Sequence, residues 1–259
     1  VDTPVVSVGA ELMQWIPSFN TFDEAYDTGD HTNGSRHYQL VMLYAEQSNN
    51  DHLRAHLMAQ MSLWAGLFGD GERALRLIAQ AMSLVPSSGL PTARAWLGAR
   101  EAAAYSRIGD KRAALEAVSR SEAAAEQARP GEEPWPWVFP FDDARIGMYR
   151  GTIATILKLP KVALPALEQG MDGLEPRAAQ PHEISQRSAE EGPKLRALVL
   201  CDLAESYVAS GEIEEACKLI AEALPIGTQM GSARVLRRFG EIRQELEPSK
   251  DGASCARAR

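Results

Sequence analysis

The sequence predicts an all-α fold of stacked helix pairs, and three observations carry that expectation. Apolar residues recur at three- and four-residue spacing through most of the chain, as in Leu200, Leu203, Ala204 and Tyr207 and again in Ala216, Ile220, Ala223 and Leu224. Short glycine-containing breaks divide these stretches into pairs, and Gly29, Gly69 and Gly109 are each 40 residues from the next. Small residues stand where paired helices must touch: Ala204 on one side of the Gly211-Glu212 break, Ala216 and Ala223 on the other.

Composition agrees with this reading. The chain has 259 residues and is 45% hydrophobic, enough to bury a sizeable core, and only 7% aromatic with few β-branched runs, which suits closely packed helices. A formal charge of −8 argues against a general nucleic-acid surface. No apolar run approaches the roughly 18 to 20 residues needed to cross a bilayer, and the first residues lack the basic start and apolar core of a signal peptide. Three cysteines, Cys201, Cys217 and Cys255, without metal-ligand spacing, read most simply as thiols of a reducing compartment, so a cytoplasmic protein is expected.

In chain order, residues 1–10 read as an extended segment and 11–246 as one helical-repeat domain. Its approximate repeats cover 15–50, 53–88, 93–128, 142–176 and 194–228, with a capping helix at 233–246 and a disordered tail at 247–259. In the first unit Leu12, Trp15, Ile16, Phe19 and Phe22 mark one helix, and Tyr38, Val41, Met42 and Ala45 a second that ends at Ser48-Asn49-Asn50. The second and third units turn at Gly69-Asp70-Gly71 and Gly109-Asp110, with Ala74, Ile78 and Ala81, then Ala114 and Val118, on the returning helices. The prolines of residues 130–141 exclude regular helix there. Asp142 is placed to cap the next helix, and Pro160 opens its partner where other units have a glycine turn. Residues 173–192, polar and bounded by prolines, read as a long loop or a short irregular helix. Val235, Leu236, Phe239, Ile242 and Leu246 give the last helix an apolar stripe.

The order small residue, Tyr, Gly, Ala, large apolar residue, Ala at Ala204, Tyr207, Gly211, Ala216, Ile220 and Ala223 resembles a tetratricopeptide repeat. That resemblance implies a right-handed α-solenoid of about five helix pairs plus a cap. Four longer stretches are similar to the carboxy-terminal repeat region of actinobacterial helix-turn-helix regulators of the XRE type. They are residues 25–30 (AYDTGD), residues 56–75 (HLMAQMSLWAGLFGDGERAL), residues 93–110 (ARAWLGAREAAAYSRIGD), and residues 194–217 (KLRALVLCDLAESYVASGEIEEAC) running on to GSARVLRRFGEIRQEL. The resemblance implies a sensing or interaction region without catalysis. The DNA-reading head that precedes the repeats in that family is missing here, with about 20 residues before Ala25, so direct DNA binding by this chain is not expected. A freestanding scaffold and a cytosolic receptor for a short signalling peptide remain open beside the regulator reading.

In such a stack the first helix of each pair lines the concave wall. Registering each unit on its own small residue puts Asp23, Tyr26, His56, Leu63, Trp96, Arg100, Arg107, Arg145, Met148, Thr152 and Glu205 there. Arg100, Arg107 and Arg145 offer guanidinium forks suited to carboxylate or phosphate, and Trp96 an aromatic anchor. The expected partner is therefore a protein, a peptide or a small acidic ligand in the groove. A homodimer is compatible with this, and a membrane or nucleic acid is not expected. The alternative is that these arginines pair with Glu101, Asp142 or Asp143 and only solubilise the surface. His52 and His56 lie four apart, a metal-pair spacing without a third ligand, so no metal and no cofactor is expected. Trp135, Trp137, Phe139 and Phe141 form an aromatic loop that either closes over the groove or packs against helices. No nucleophile elbow, phosphate-binding glycine loop or redox CxxC occurs. The acidic pairs Glu132-Glu133, Glu190-Glu191 and Glu214-Glu215 lie in polar loops or on helix faces, and no enzymatic activity is expected.

Overall fold

A computed structural model describes residues 24–86, 90–128, 141–174 and 186–246, with the side chains of residues 186–191 left aside. Among the described residues every regular element is an α-helix. A helical turn at residues 24–27 leads into α1 (His31–Gln47), α2 (Asp51–Leu67), α3 (Gly71–Ser83), α4 (Pro91–Arg107) and α5 (Lys111–Ala125). Then follow α6 (Asp143–Ile156), α7 (Pro160–Leu174), α8 (Gln186–Ser210), α9 (Ile213–Gln229) and α10 (Ala233–Leu246). The extended segment, the first repeat's opening helix with Asp23, and the tail expected at 247–259 lie outside the described residues.

One local device makes the early turns. Gly29, Gly69 and Gly109 take φ of 85°, 85° and 78°, a region that costs a side-chain-bearing residue energy. The aspartate that follows each one, Asp30, Asp70 or Asp110, accepts a hydrogen bond from the backbone N–H three residues on, at 3.0–3.1 Å. Glycine ends one helix and aspartate starts the next, so each pair closes in two residues. Between α6 and α7 the left-handed position is held by Lys158 instead, at φ 55°.

Helices pack in sequence-adjacent pairs, α2 with α3, α4 with α5, α6 with α7 and α8 with α9. Close approach within a pair depends on missing side chains: a Cβ on Gly151 would lie 2.4 Å from Leu167 Cγ, and one on Gly170 2.4 Å from Met148 Cγ. Between pairs the contacts are uneven. α2, α4, α6, α8 and α10 touch one another in succession, whereas the returning helices α3, α5, α7 and α9 make no comparable contact among themselves. Successive first helices are thus in contact, and the larger contacts between pairs run from a returning helix to the next first helix, α3 to α4 and α7 to α8. Buried alanines and leucines fill the space between the layers, among them Ala59, Ala74, Ile78, Ala81 and Leu97 near the start, and Ala197, Leu200, Ala204 and Ala216 near the end.

One boundary differs from the expectation. The first helix of the unit expected from 194 is α8, which begins at Gln186, within the stretch read as a long loop or short irregular helix, and runs through Gly192 and Pro193. α9 continues through Pro225 to Gln229, beside the expected end of that unit at 228. A proline removes one backbone donor, but packing of α8 on both α7 and α9, and of α9 on both α8 and α10, outweighs that local loss. In α10, Val235 and Ile242 are buried while Leu236 of the expected apolar stripe is 41% exposed.

The ends of the described chain meet. Asp27 Oδ2 lies 2.9 Å from Lys194 Nζ on α8, and the hydroxyl of Ser232, beside the start of α10, donates to Asp27 Oδ1 at 3.1 Å. The Arg237 guanidinium on α10 donates to the backbone oxygen of Leu67, at the end of α2, at 3.4 Å. That oxygen is at a helix C-terminus, where a cation is favoured.

Candidate functional site

The first helices carry most of the residues chosen from sequence, and the structure sorts them into three groups. Tyr26, His56, Trp96 and Met148 are buried. Tyr26 stacks on Trp64 with ring centroids 5.4 Å apart and fits over Gly34, where a Cβ would come within 2.8 Å of the ring. Met148 packs with Ala154, Ala163 and Leu167 between α6 and α7. These two side chains serve the core.

Thr152 and Glu205 belong to an internal polar network. Thr152 donates to Asp202 at 2.5 Å, and Asp202, 4% exposed, also accepts from Arg238 at 2.7 Å. Arg238 donates again to Glu205 at 2.6 Å. Glu205 takes a further bond from Lys158, which also reaches Glu245, both at 2.8 Å. Burial pulls the Arg238 guanidinium down, but Asp202 and Glu205 outweigh it and hold it above the usual arginine value. Burial also lowers Lys158, and its bonds to Glu205 and Glu245 reverse this. The network joins α6, α8 and α10, and it gives a structural task to the residue that occupies the glycine position between α6 and α7.

Arg100 and Arg107 form the third group. Both lie on α4 and face α2 across a small cleft lined by Ser62, Leu63, Ala103 and Ala104. Arg100 donates to the side-chain oxygen of Gln60 at 2.6 Å, and its guanidinium carbon lies 5.0 Å from the Trp96 ring centre and 5.7 Å from that of Tyr149. His56 of α2 stacks on Trp96 at 4.8 Å, and Phe141, before α6's cap, lies 5.5 Å from Tyr149, so each ring flanking the cation packs against a further aromatic group. Among the described residues Arg107 has no hydrogen bond or ion pair, and its Nε is shielded from solvent without a partner. Its stem lies over Gly66 of α2, where a Cβ would be 2.7 Å from Arg107 Cδ. Burial, and then Arg234, Arg238 and Arg237 on α10, push its pKa down to about 10.

Two of the three acids that sequence offered as partners for these arginines are engaged elsewhere, and the third, Asp143, is exposed in the first turn of α6. Glu101 takes an ion pair from Arg120 at 2.7 Å, and Asp142 accepts from the Arg145 backbone N–H at 3.0 Å as the cap of α6. Leu63 lines the cleft and Arg145 stands in the first turn of α6. Asp23, Trp135, Trp137, Phe139, Glu132 and Glu133 lie outside the described residues, as do the side chains of Glu190 and Glu191.

Sequence reasoning missed Arg234, Arg237 and Arg238, together with Asp27, Lys194 and Asp202. The spacing of three and four in RVLRRF marks a basic stripe on one face of α10, and that was the available signal. Nothing local announces that this stripe meets residues from the first half of the chain.

Among the described residues no three His, Cys, Asp or Glu side chains converge as a metal site requires, and no helix is long and apolar enough to cross a membrane. Cys217 is disulfide-bonded and Cys201 is a buried free thiol, so the cysteines no longer argue for a reducing compartment. Comparison with family models, with curated proteins and with solved structures found no match to this chain.

Proposed function

We propose that this chain is a tetratricopeptide-like binding module. Its helix pairs stack as a right-handed solenoid, and its inner wall, made of α2, α4, α6, α8 and α10, receives a protein or peptide partner. Contact among the first helices without comparable contact among the second supports curvature with the first helices inside. The observation that carries the binding reading is Arg100. It is a half-buried cation held by one neutral amide and flanked by Trp96 and Tyr149, with no carboxylate to neutralise it. Together with the resemblance to XRE-type regulators, this makes the chain the sensing or interaction part of a bacterial transcriptional regulator.

A receptor for a short signalling peptide is favoured over an open scaffold by the contacts of Asp27 with Lys194 and Ser232, which bring the chain's ends together around the wall. Partner binding would then act by favouring one curvature of the stack over another.

The test is a photo-crosslinking residue placed at Ala103, inside the cleft, in the chain exposed to actinobacterial lysate. A peptide or protein adduct that is lost with Arg100→Met supports the reading. Absence of any adduct, or one equally abundant with the crosslinker on the outer surface of α5, overturns it.

A further inference from the structure

The geometry points to an acidic peptide as the partner: an extended segment carrying two carboxylates three residues apart, one seated on Arg100 and the other on Arg107 in the cleft between α2 and α4. This rests on the binding-module reading and gives it a ligand chemistry. Three observations lead there.

The first is the state of the two cations. Arg120, Arg150 and Arg196, on α5, α6 and α8, each find a carboxylate on a neighbouring helix. Among the described residues Arg100 and Arg107 find none, although both are half-buried and both have an Nε closed off from solvent without a partner. Arg107 is further disfavoured by the arginines of α10 facing it, and Asp202, the carboxylate that acts on it, is already bonded to Thr152 and Arg238. A guanidinium in that position is stabilised by an incoming anion and by little else, because shedding its proton is confined to strongly alkaline solution.

The second is spacing. Arg100 and Arg107 are two helical turns apart on one face of α4, about 10 Å along the axis. A polyproline II segment advances about 9 Å in three residues and returns to the same face, so acidic residues at the first and fourth positions match the two forks. A compact anion such as inorganic phosphate spans one fork at a time.

The third is the floor. Ser62 is turned away, its hydroxyl donating to the Ala74 backbone oxygen, so Leu63, Ala103 and Ala104 leave the cleft apolar between its charged ends. The two intervening residues of the peptide therefore need no polar partner, and small ones fit.

The probe is a series of fluorescein-labelled serine peptides with two glutamates separated by zero to five serines, with glutamine versions as controls. Anisotropy is read against the whole chain in 50 mM NaCl. The proposal expects tightest binding with two intervening serines, at least tenfold weaker binding of the glutamine versions, and a loss of about tenfold for each of Arg100→Met and Arg107→Met. Both replacements keep the apolar stem, and far-ultraviolet circular dichroism with a melting curve verifies that the fold persists. Saturating inorganic phosphate displaces the peptide only weakly. Glutamate and glutamine peptides binding alike would overturn the acidic assignment while leaving peptide binding standing. Affinity independent of glutamate spacing would remove the two-fork geometry. No binding by any member, with the crosslinking experiment also empty, would remove the module reading as well.

Discussion

Arg107 on α4 lies within electrostatic reach of the arginines of α10, and the two sites differ in what the charge costs. Arg238 is buried, yet it donates to Asp202 and Glu205 and stands opposite Thr152 and Lys158, so each charge in that group is answered. Arg107 is half-buried and unanswered. The same side chain is thus an ion-paired joint in one place and, among the described residues, carries no ion pair in the other. What separates them is the presence of carboxylates on the neighbouring helix: α8 supplies two to Arg238, and the face of α2 opposite Arg107 supplies Gly66, Ser62 and Leu63.

The largest expected effect removes the joint. Arg238→Met leaves Asp202 buried with its Thr152 bond alone and should cost about 3–5 kcal/mol, read as a lower urea midpoint at unchanged m-value. A loss below 1 kcal/mol would erase the contrast between the two helices.

Next in size is the contact between the chain's ends. Asp27→Ala removes the carboxylate that takes Lys194 and Ser232, and Lys194 then keeps an unmatched charge in a partly buried position. About 2 kcal/mol is expected. Hydrogen exchange should quicken at the start of α10 more than in the α4–α5 pair, because the lost bond holds the Ser232 hydroxyl that itself accepts from the Val235 N–H.

How much of this was legible in the sequence follows the range of the forces involved. The glycine-aspartate turns are set by backbone conformation and a bond three residues long, so Gly29-Asp30, Gly69-Asp70 and Gly109-Asp110 announced themselves. Asp142 as a cap and Pro160 as a helix start were legible for the same reason. The start of α8 was placed too late, at 194, because Gly192 and Pro193 locally disfavour a helix, whereas contacts from α7 and α9 decide the outcome. Registering first helices by repeat offsets chose Arg100 and Arg107, which line one cleft. It also chose Tyr26 and Met148, since an offset gives a face to within about a third of a turn and cannot separate the rim of a wall from its packed seam. The partners of Arg238 were hidden altogether, being contacts between α10 and helices before it that no spacing encodes.

The smallest effects fall on Arg107, and they carry the opposite sign. Arg107→Met keeps the stem over Gly66 and deletes a charge that no carboxylate neutralises, so stability should hold or rise by about 1 kcal/mol. Its pH dependence sharpens the point. The folded chain holds the Arg107 proton less tightly than the unfolded chain, with a pKa brought down to about 10 by burial and by Arg234, Arg238 and Arg237. The penalty is therefore present in full at neutral pH and fades as pH rises through 10 toward the ordinary arginine value, because there the unfolded state binds more protons. Cys201 and Tyr38 run the other way in both proteins, each pushed up to about 12 by burial, so both lose stability as the solution becomes alkaline. The difference between them cancels those two groups. Urea titrations at pH 7.5 and pH 10.5 should show the advantage of Arg107→Met at the lower pH and a smaller one at the higher. An advantage that grows with pH, or a clear loss at pH 7.5, would mean that Arg107 is a joint like Arg238 and that the cleft on α4 holds no unanswered charge.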